Sequence, residues 1–193
     1  MARKKKKIDT WKTKKWYTIV APPSFNEKEL GETPASNPER LIGRSINVTL
    51  AELTEKRAQQ YVGLKFKITE VKGEKALTSI QGHELQRGYV GRQTRRMKTL
   101  ITVIFKIVTK DGKKLQVQVI AFGKERSDKA QEKNIRKMII EAVEKKAKKT
   151  TFEKLFQEIV FGKLSAELFA EVKKVFPLTR VEVTKTKVLE GSK

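Results

Sequence analysis

Residues 99–123, TLITVIFKIVTKDGKKLQVQVIAFG, decide the fold. Thr99 to Thr109 is β-branched or aromatic at almost every position, and Asp111-Gly112 supplies the turn. Beyond it, Leu115, Val117 and Val119 alternate with Gln116 and Gln118, the period of two expected of a strand with one buried face. The segment therefore predicts an antiparallel hairpin. Its first strand is either buried on both faces or amphipathic with a wet end at Lys106.

Working outward, strand chemistry continues upstream. VGLKFKITEV at 62–71 places Val62, Leu64, Phe66 and Ile68 on one face and Lys65, Lys67 and Thr69 on the other. Lys72-Gly73-Glu74-Lys75 reads as a turn, and residues 75–83 read as the hairpin partner. SINVTLAEL at 45–53 reads as a strand ending in a turn, and WYTIVA at 16–21 as a short strand stopped by Pro22-Pro23. Residues 24–40 show no period and read as a long irregular loop; Glu84 to Met97, broken by Gly88 and Gly91, reads as a short helix or ordered loop.

Downstream of Ser127 the period changes to about 3.6. Ile135, Met138, Ile139, Ala142 and Val143 form the apolar stripe of a surface helix. A second helix follows from Thr151, packing through Phe152, Leu155, Phe156 and Ile159 and ending at Gly162. A third starts after Ser165, turns Leu168, Val172 and Val175 inward, and is stopped by Pro177. TRVEVTKTKVL at 179–189 reads as a terminal strand in which Val181 and Val183 share a face with Lys185 and Lys187. Strands followed by strands, then helices, then a last strand imply an α+β fold: a predominantly antiparallel, barrel-like body with C-terminal helices and a final strand. The simplest division is a basic tail at 1–15, expected to be disordered, a single α+β domain at 16–189, and a short tail at 190–193.

The chain has 193 residues and a formal net charge of +22, an excess that repels itself unless an acidic partner compensates it. Absence of Cys excludes disulfides and thiolate metal sites and fits an intracellular protein. No apolar run reaches the roughly 18 residues of a membrane span. An enzyme would need convergent polar groups, and the candidates are poor. His83 is the only histidine; it reads as structural or as a partner contact. Neither GxxxxGK[ST] nor GxGxxG occurs, and FGKERSDK around Gly123 lacks the spacing that wraps backbone N–H groups around phosphate. No cofactor, metal or small-molecule substrate is expected.

Positive charge gathers in three places. Arg3, Lys4, Lys5, Lys6, Lys7, Lys12, Lys14 and Lys15 crowd the N-terminus against Asp9 alone. Arg87, Arg92, Arg95, Arg96 and Lys98 follow one another without an intervening acid. The third region, 124–149, mixes bases with acids and reads equally well as a solvated helix face. Lysines neutralise phosphate as hydrated point charges, whereas the arginine fork grips it with two donors or stacks on a base. Trp11, Trp16 and Tyr17, set among the first group, are placed to stack on unpaired bases, while Trp16 and Tyr17 fit the core equally well and Trp11 fits an RNA or protein anchor. The pattern favours RNA with exposed loops; a chromatin-like backbone binder is the alternative, since no helix-turn-helix or finger spacing is present.

Two segments carry a family resemblance. KKWYTIVAPPSF matches through Lys15, Trp16, Tyr17, Ala21, Pro22 and Phe25, and LIGRSINVTLAEL through Leu41, Gly43, Arg44, Leu50 and Leu53. Asn47, Thr49 and Glu52 depart conservatively, and Ser45 takes a usually aliphatic position. With RKMI at 136–139 and the ending VFPLTRVEVTKTKVL, the chain resembles the archaeal small-subunit ribosomal protein family S3Ae, or eS1, over roughly residues 11–189. The resemblance implies a non-enzymatic, cytoplasmic component of the small ribosomal subunit. It also implies binding to ribosomal RNA and neighbouring proteins, uS11 among them, on the platform near the 3′ end of the small-subunit RNA. Within that frame Arg44, Arg87, Arg92, Arg95 and Arg96 are the first candidates for RNA contact, with Lys98 and the N-terminal bases beside them.

Overall fold

A computed structural model describes Trp11 and residues 14–189. Along them lie β1 (Lys15–Val20), β2 (Glu29–Ala35), β3 (Ser45–Thr49), α1 (Leu50–Thr54), β4 (Val62–Lys72), β5 (Lys75–Leu85) and α2 (Arg87–Gln93). There follow β6 (Leu100–Val108), β7 (Lys114–Gly123), α3 (Lys129–Lys149), α4 (Phe152–Val160), α5 (Lys163–Val172) and β8 (Leu178–Leu189). This is the expected α+β class. Hydrogen-bonded strand neighbours run β2-β1-β5-β8-β7-β6, with β3 on β4 and β4 on β5. The strand order ends at β2 and β6 and does not close on itself as a barrel's would. The expected basic tail falls largely, and the four-residue C-terminal tail wholly, outside the described residues.

The chain groups into two compact units, and β4 and β5 contribute to both: one takes the described chain up to Val48 with Phe66–Ile80, the other Thr49–Lys65 with the described chain from Gln81 onward. In the first, β1 pairs antiparallel with β2 from Lys15↔Ala35 to Val20↔Glu29. It also runs parallel to the start of β5, Thr18↔Lys75 to Val20↔Leu77. The core gathers Tyr17, Ile19, Ala35, Leu41, Ile68 and Ala76, and the Phe25 ring meets Phe66 edge-on at 5.8 Å. Residues 24–40 are thus not a continuous irregular loop. ELGETPA has no strand pattern of its own, but it lies at the end of the strand order, where Pro34 is tolerated, and it takes its conformation from pairing with the aromatic, β-branched β1.

In the second unit β6 and β7 form the hairpin in register from Leu100↔Phe122 to Val108↔Lys114. Gly112 takes φ 74° in the turn, where a side chain would be strained. Of the two readings of β6, the amphipathic one holds: Ile101, Val103 and Ile107 are buried, while Leu100, Ile104 and Val108 are exposed. β8 pairs antiparallel with β7, and the register shifts between Gln118↔Lys185 and Val119↔Val183. Thr184 is the additional residue, a β-bulge that reverses which side chains face inward. Val181 and Val183 are buried before it and Thr186 after it. Lys185 and Lys187 are therefore exposed and do not share the valines' face, as simple alternation had suggested.

The helices cover the unit through single apolar stripes. Asp128 and Gln131 close a reciprocal capping box at the start of α3. Ile135, Ile139, Val143 and Ala147 recur every four residues as its buried row. α4 buries Phe152, Leu155, Phe156, Ile159 and Val160. α5 begins at Lys163 rather than after Ser165, because Gly162 at φ 76° turns the chain directly into it. It ends at Val172, short of Pro177, so Val175 falls outside the helical period and is exposed while Phe176 takes the inward place.

Candidate nucleic-acid interface

The acid-free run begins where β5 ends. α2 buries none of its residues, and Arg87, Arg92, Arg95, Arg96 and Lys98 are all exposed. Among the described residues none of the five enters an ion pair, so their charge is offered to solvent. An amphipathic stripe does not hold this short helix, so other contacts must. The Gln86 backbone N–H donates to the Tyr61 carbonyl at 2.9 Å, and its side-chain amide donates to the Gln60 carbonyl at 3.2 Å. Tyr89 then stacks on Tyr61, ring centroids 3.9 Å apart and planes within 10°. Its hydroxyl donates to Glu182 Oε1 at 3.2 Å and accepts from Arg180 Nη1 at 2.5 Å. Burial, and then the Glu182 carboxylate, push the Tyr89 hydroxyl pKa up to about 12. Burial likewise raises the Glu182 carboxyl above its ordinary range, against the opposing charge of Arg180. The Tyr61, Tyr89, Arg180 and Glu182 group thus fixes the base of an arginine-bearing segment whose far end turns through Met97 at φ 63°.

Arg44 stands in the first unit and is differently employed. Its Nε donates to the Arg40 carbonyl at 3.1 Å, and its Nη1 donates to Thr33 Oγ1 at 3.1 Å and the Pro34 carbonyl at 3.4 Å. The guanidinium therefore fastens β2 to the turn before β3, a structural use that the family signature alone did not specify. Of the N-terminal bases, Arg3, Lys4 to Lys7 and Lys12 lie outside the described residues. Lys14 and Lys15 are exposed, and Lys14 Nζ sits 4.3 Å from the centre of the Trp11 ring. Tyr17 belongs to the core, whereas Trp16 is exposed and does not pack there.

The mixed region at 124–149 is partly neutralised. Arg136 pairs with Glu132 at 2.9 Å, and Lys146 bridges Glu158 at 2.7 Å and also Glu167. His83 is equally committed: it is 3 % exposed, with Nδ1 2.7 Å from Thr186 Oγ1 and Nε2 3.1 Å from the Val183 carbonyl. Burial lowers its pKa to about 4, so the ring is neutral at physiological pH. Among the described residues no group of three or more His, Asp or Glu is disposed to hold a metal ion. No helix there is long and apolar enough to cross a membrane.

His83 is committed within the fold, and the arginine segment presents uncompensated positive charge at the surface, the features of a strongly basic folded protein. Comparison with known proteins makes that class specific. Residues 2–192 match the model of the Ribosomal S3Ae family, and the chain belongs to that family. It is 43% identical over 183 residues to the small ribosomal subunit protein eS1 of Sulfurisphaera tokodaii, covering 95% of each chain. To eS1 of Desulfurococcus amylolyticus it is 46% identical over 181 residues, 94% of this chain and 85% of the other. To eS1 of Saccharolobus islandicus it is 42% identical over 182 residues, 94% of this chain and 88% of the other. The chain is accordingly a structural ribosomal component with its place in the cytoplasmic ribosome, not an enzyme.

Proposed function

We propose that this chain holds separated stretches of ribosomal RNA on the platform of the small subunit, near the 3′ end of its RNA and beside uS11. In this reading residues 16–189 serve as one RNA-binding domain, residues 1–15 as a basic extension, and residues 190–193 as a short tail. The observation that carries the reading is the exposed, acid-free run Arg87, Arg92, Arg95, Arg96 and Lys98 on a segment anchored by Tyr89. Such a segment neutralises phosphates without sequence preference, and the packed body fixes where it does so. Lys14 and Lys15, with Arg3, Lys4 to Lys7 and Lys12, extend the same phosphate contact; Arg44 adds to it only through donors not already used within the fold. Crosslinking in whole cells, followed by purification of the chain and sequencing of the attached nucleic acid, tests the reading. Crosslinks from residues 87–98 confined to one region near the RNA 3′ end are expected. Crosslinks scattered over genomic DNA would support the chromatin-like alternative instead.

A further inference from the structure

A groove of about 380 Å³ opens in the second unit beside the tyrosine pair, along Tyr61, Ser165, Phe169, Arg180 and Glu182. Its volume lies at the low end of small-ligand sites, suited to one nucleotide and far too small for a duplex. Three chemical features converge in it. Tyr61 and Phe169 offer aromatic surface, and Tyr61 is held in place by the ring of Tyr89 stacked on it. Arg180 engages Tyr89 and Glu182 only through Nη1. Its Nε and Nη2, the side-on edge that grips a phosphate with two parallel donors, have no partner among the described residues. Glu182 shows the same division: Oε1 takes the contacts of both Tyr89 and Arg180, while Oε2 has no hydrogen-bond partner among the described residues. An aromatic wall, a free arginine fork and one free carboxylate oxygen are the elements that recognise an unstacked base and its phosphate.

We propose that this groove binds a single unpaired nucleotide of RNA, with a base that carries an exocyclic amino group. Arg180 holds the phosphate through Nε and Nη2, the base lies against Tyr61 and Phe169, and the amino group donates to Glu182 Oε2. Uracil is disfavoured because it places the O4 carbonyl, an acceptor, where cytosine places its N4 amino donor against the carboxylate. The inference rests on the RNA-binding reading and adds a base-selective subsite to it.

The test compares binding of the full chain to short single-stranded RNAs of cytidine only and of uridine only. These bases are alike in size but opposite in donor and acceptor at the distinguishing edge. Cytidine RNA is expected to bind about tenfold more tightly, the worth of one charge-assisted hydrogen bond. E182Q, whose amide can meet either edge, should bring the two within about twofold of each other. R180K keeps the charge but loses the fork, and should weaken both several-fold. Replacing Arg92, Arg95 and Arg96 together by Ala should weaken both equally and leave their ratio intact. Equal binding of cytidine and uridine RNA, or a ratio that E182Q leaves unchanged, overturns the subsite while the phosphate-led reading stands on the triple variant. Absence of RNA binding altogether overturns both.

Discussion

His83 shows how a residue that attracts functional attention becomes structural through its surroundings. Its pKa near 4 lies below the ordinary 6.5, so the unfolded chain takes up a proton that the folded chain resists. The stability that His83 contributes as a neutral ring is complete above pH 6.5 and is lost as pH falls toward 4. Between pH 7 and pH 5 this is worth about 2 kcal/mol. Urea unfolding of the wild type should lose about that much more stability over this interval than His83→Gln, and equal losses would place the ring in solvent. Since the chain has one histidine, its imidazole proton resonance reports the same titration directly. Arg44 makes the complementary case. The family signature marks it, but its bonds to Thr33, Pro34 and Arg40 are internal. Arg44→Ala should cost about 1 kcal/mol in the free protein, measured without RNA, because those bonds are lost whether or not RNA is present.

At the scale of elements, close approach of β5 to β8 depends on Gly82. A Cβ there would lie 2.1 Å from the Thr186 backbone oxygen, in a pairing that sets Gly82 opposite Lys187 and His83 opposite Thr186. Backbone cannot swing aside as a side chain can, so Gly82→Ala must spread the strands and break the His83 to Thr186 contact. A loss of about 3 kcal/mol is expected, with raised hydrogen exchange at the Gly82 to Glu84 and Lys185 to Lys187 amides. Unchanged stability would mean that the strands are farther apart. These elements also show what a single sequence conveys. β6, β7 and α3 were readable because each carries its own period and its own bounding signals, Asp111-Gly112 for the hairpin and the change of period after Ser127 for the helix. β2 was not readable, since its conformation is supplied by β1. Nor was the phase of β8 past Thr184, because a bulge leaves no mark in composition and reverses every side chain after it.

Over the whole molecule the surplus of positive charge was plain from the sequence, and so was the run from Arg87 to Lys98, because its members are neighbours in the chain. The constellation beneath it was not: Tyr89 and Glu182 are 93 residues apart and meet only through the fold. The one advance sign was Tyr89 itself, an aromatic residue among arginines. Net charge of +22 does not mean that every base is equally available. Arg136 is already paired with Glu132, and Lys146 with two glutamates, so their fields are cancelled at short range. Arg92, Arg95 and Arg96 have no such compensation. Counterion release depends on phosphates newly neutralised, about 0.7 in the logarithmic salt slope for each single-strand contact. Removing those three arginines should therefore lower the slope by about 2, while Arg136→Ala and Lys146→Ala together should change it by less than 1. Fluorescence anisotropy of labelled RNA across a salt series measures both. If the two variants altered the slope alike, binding would follow total charge, and the uncompensated segment would have no particular claim on RNA.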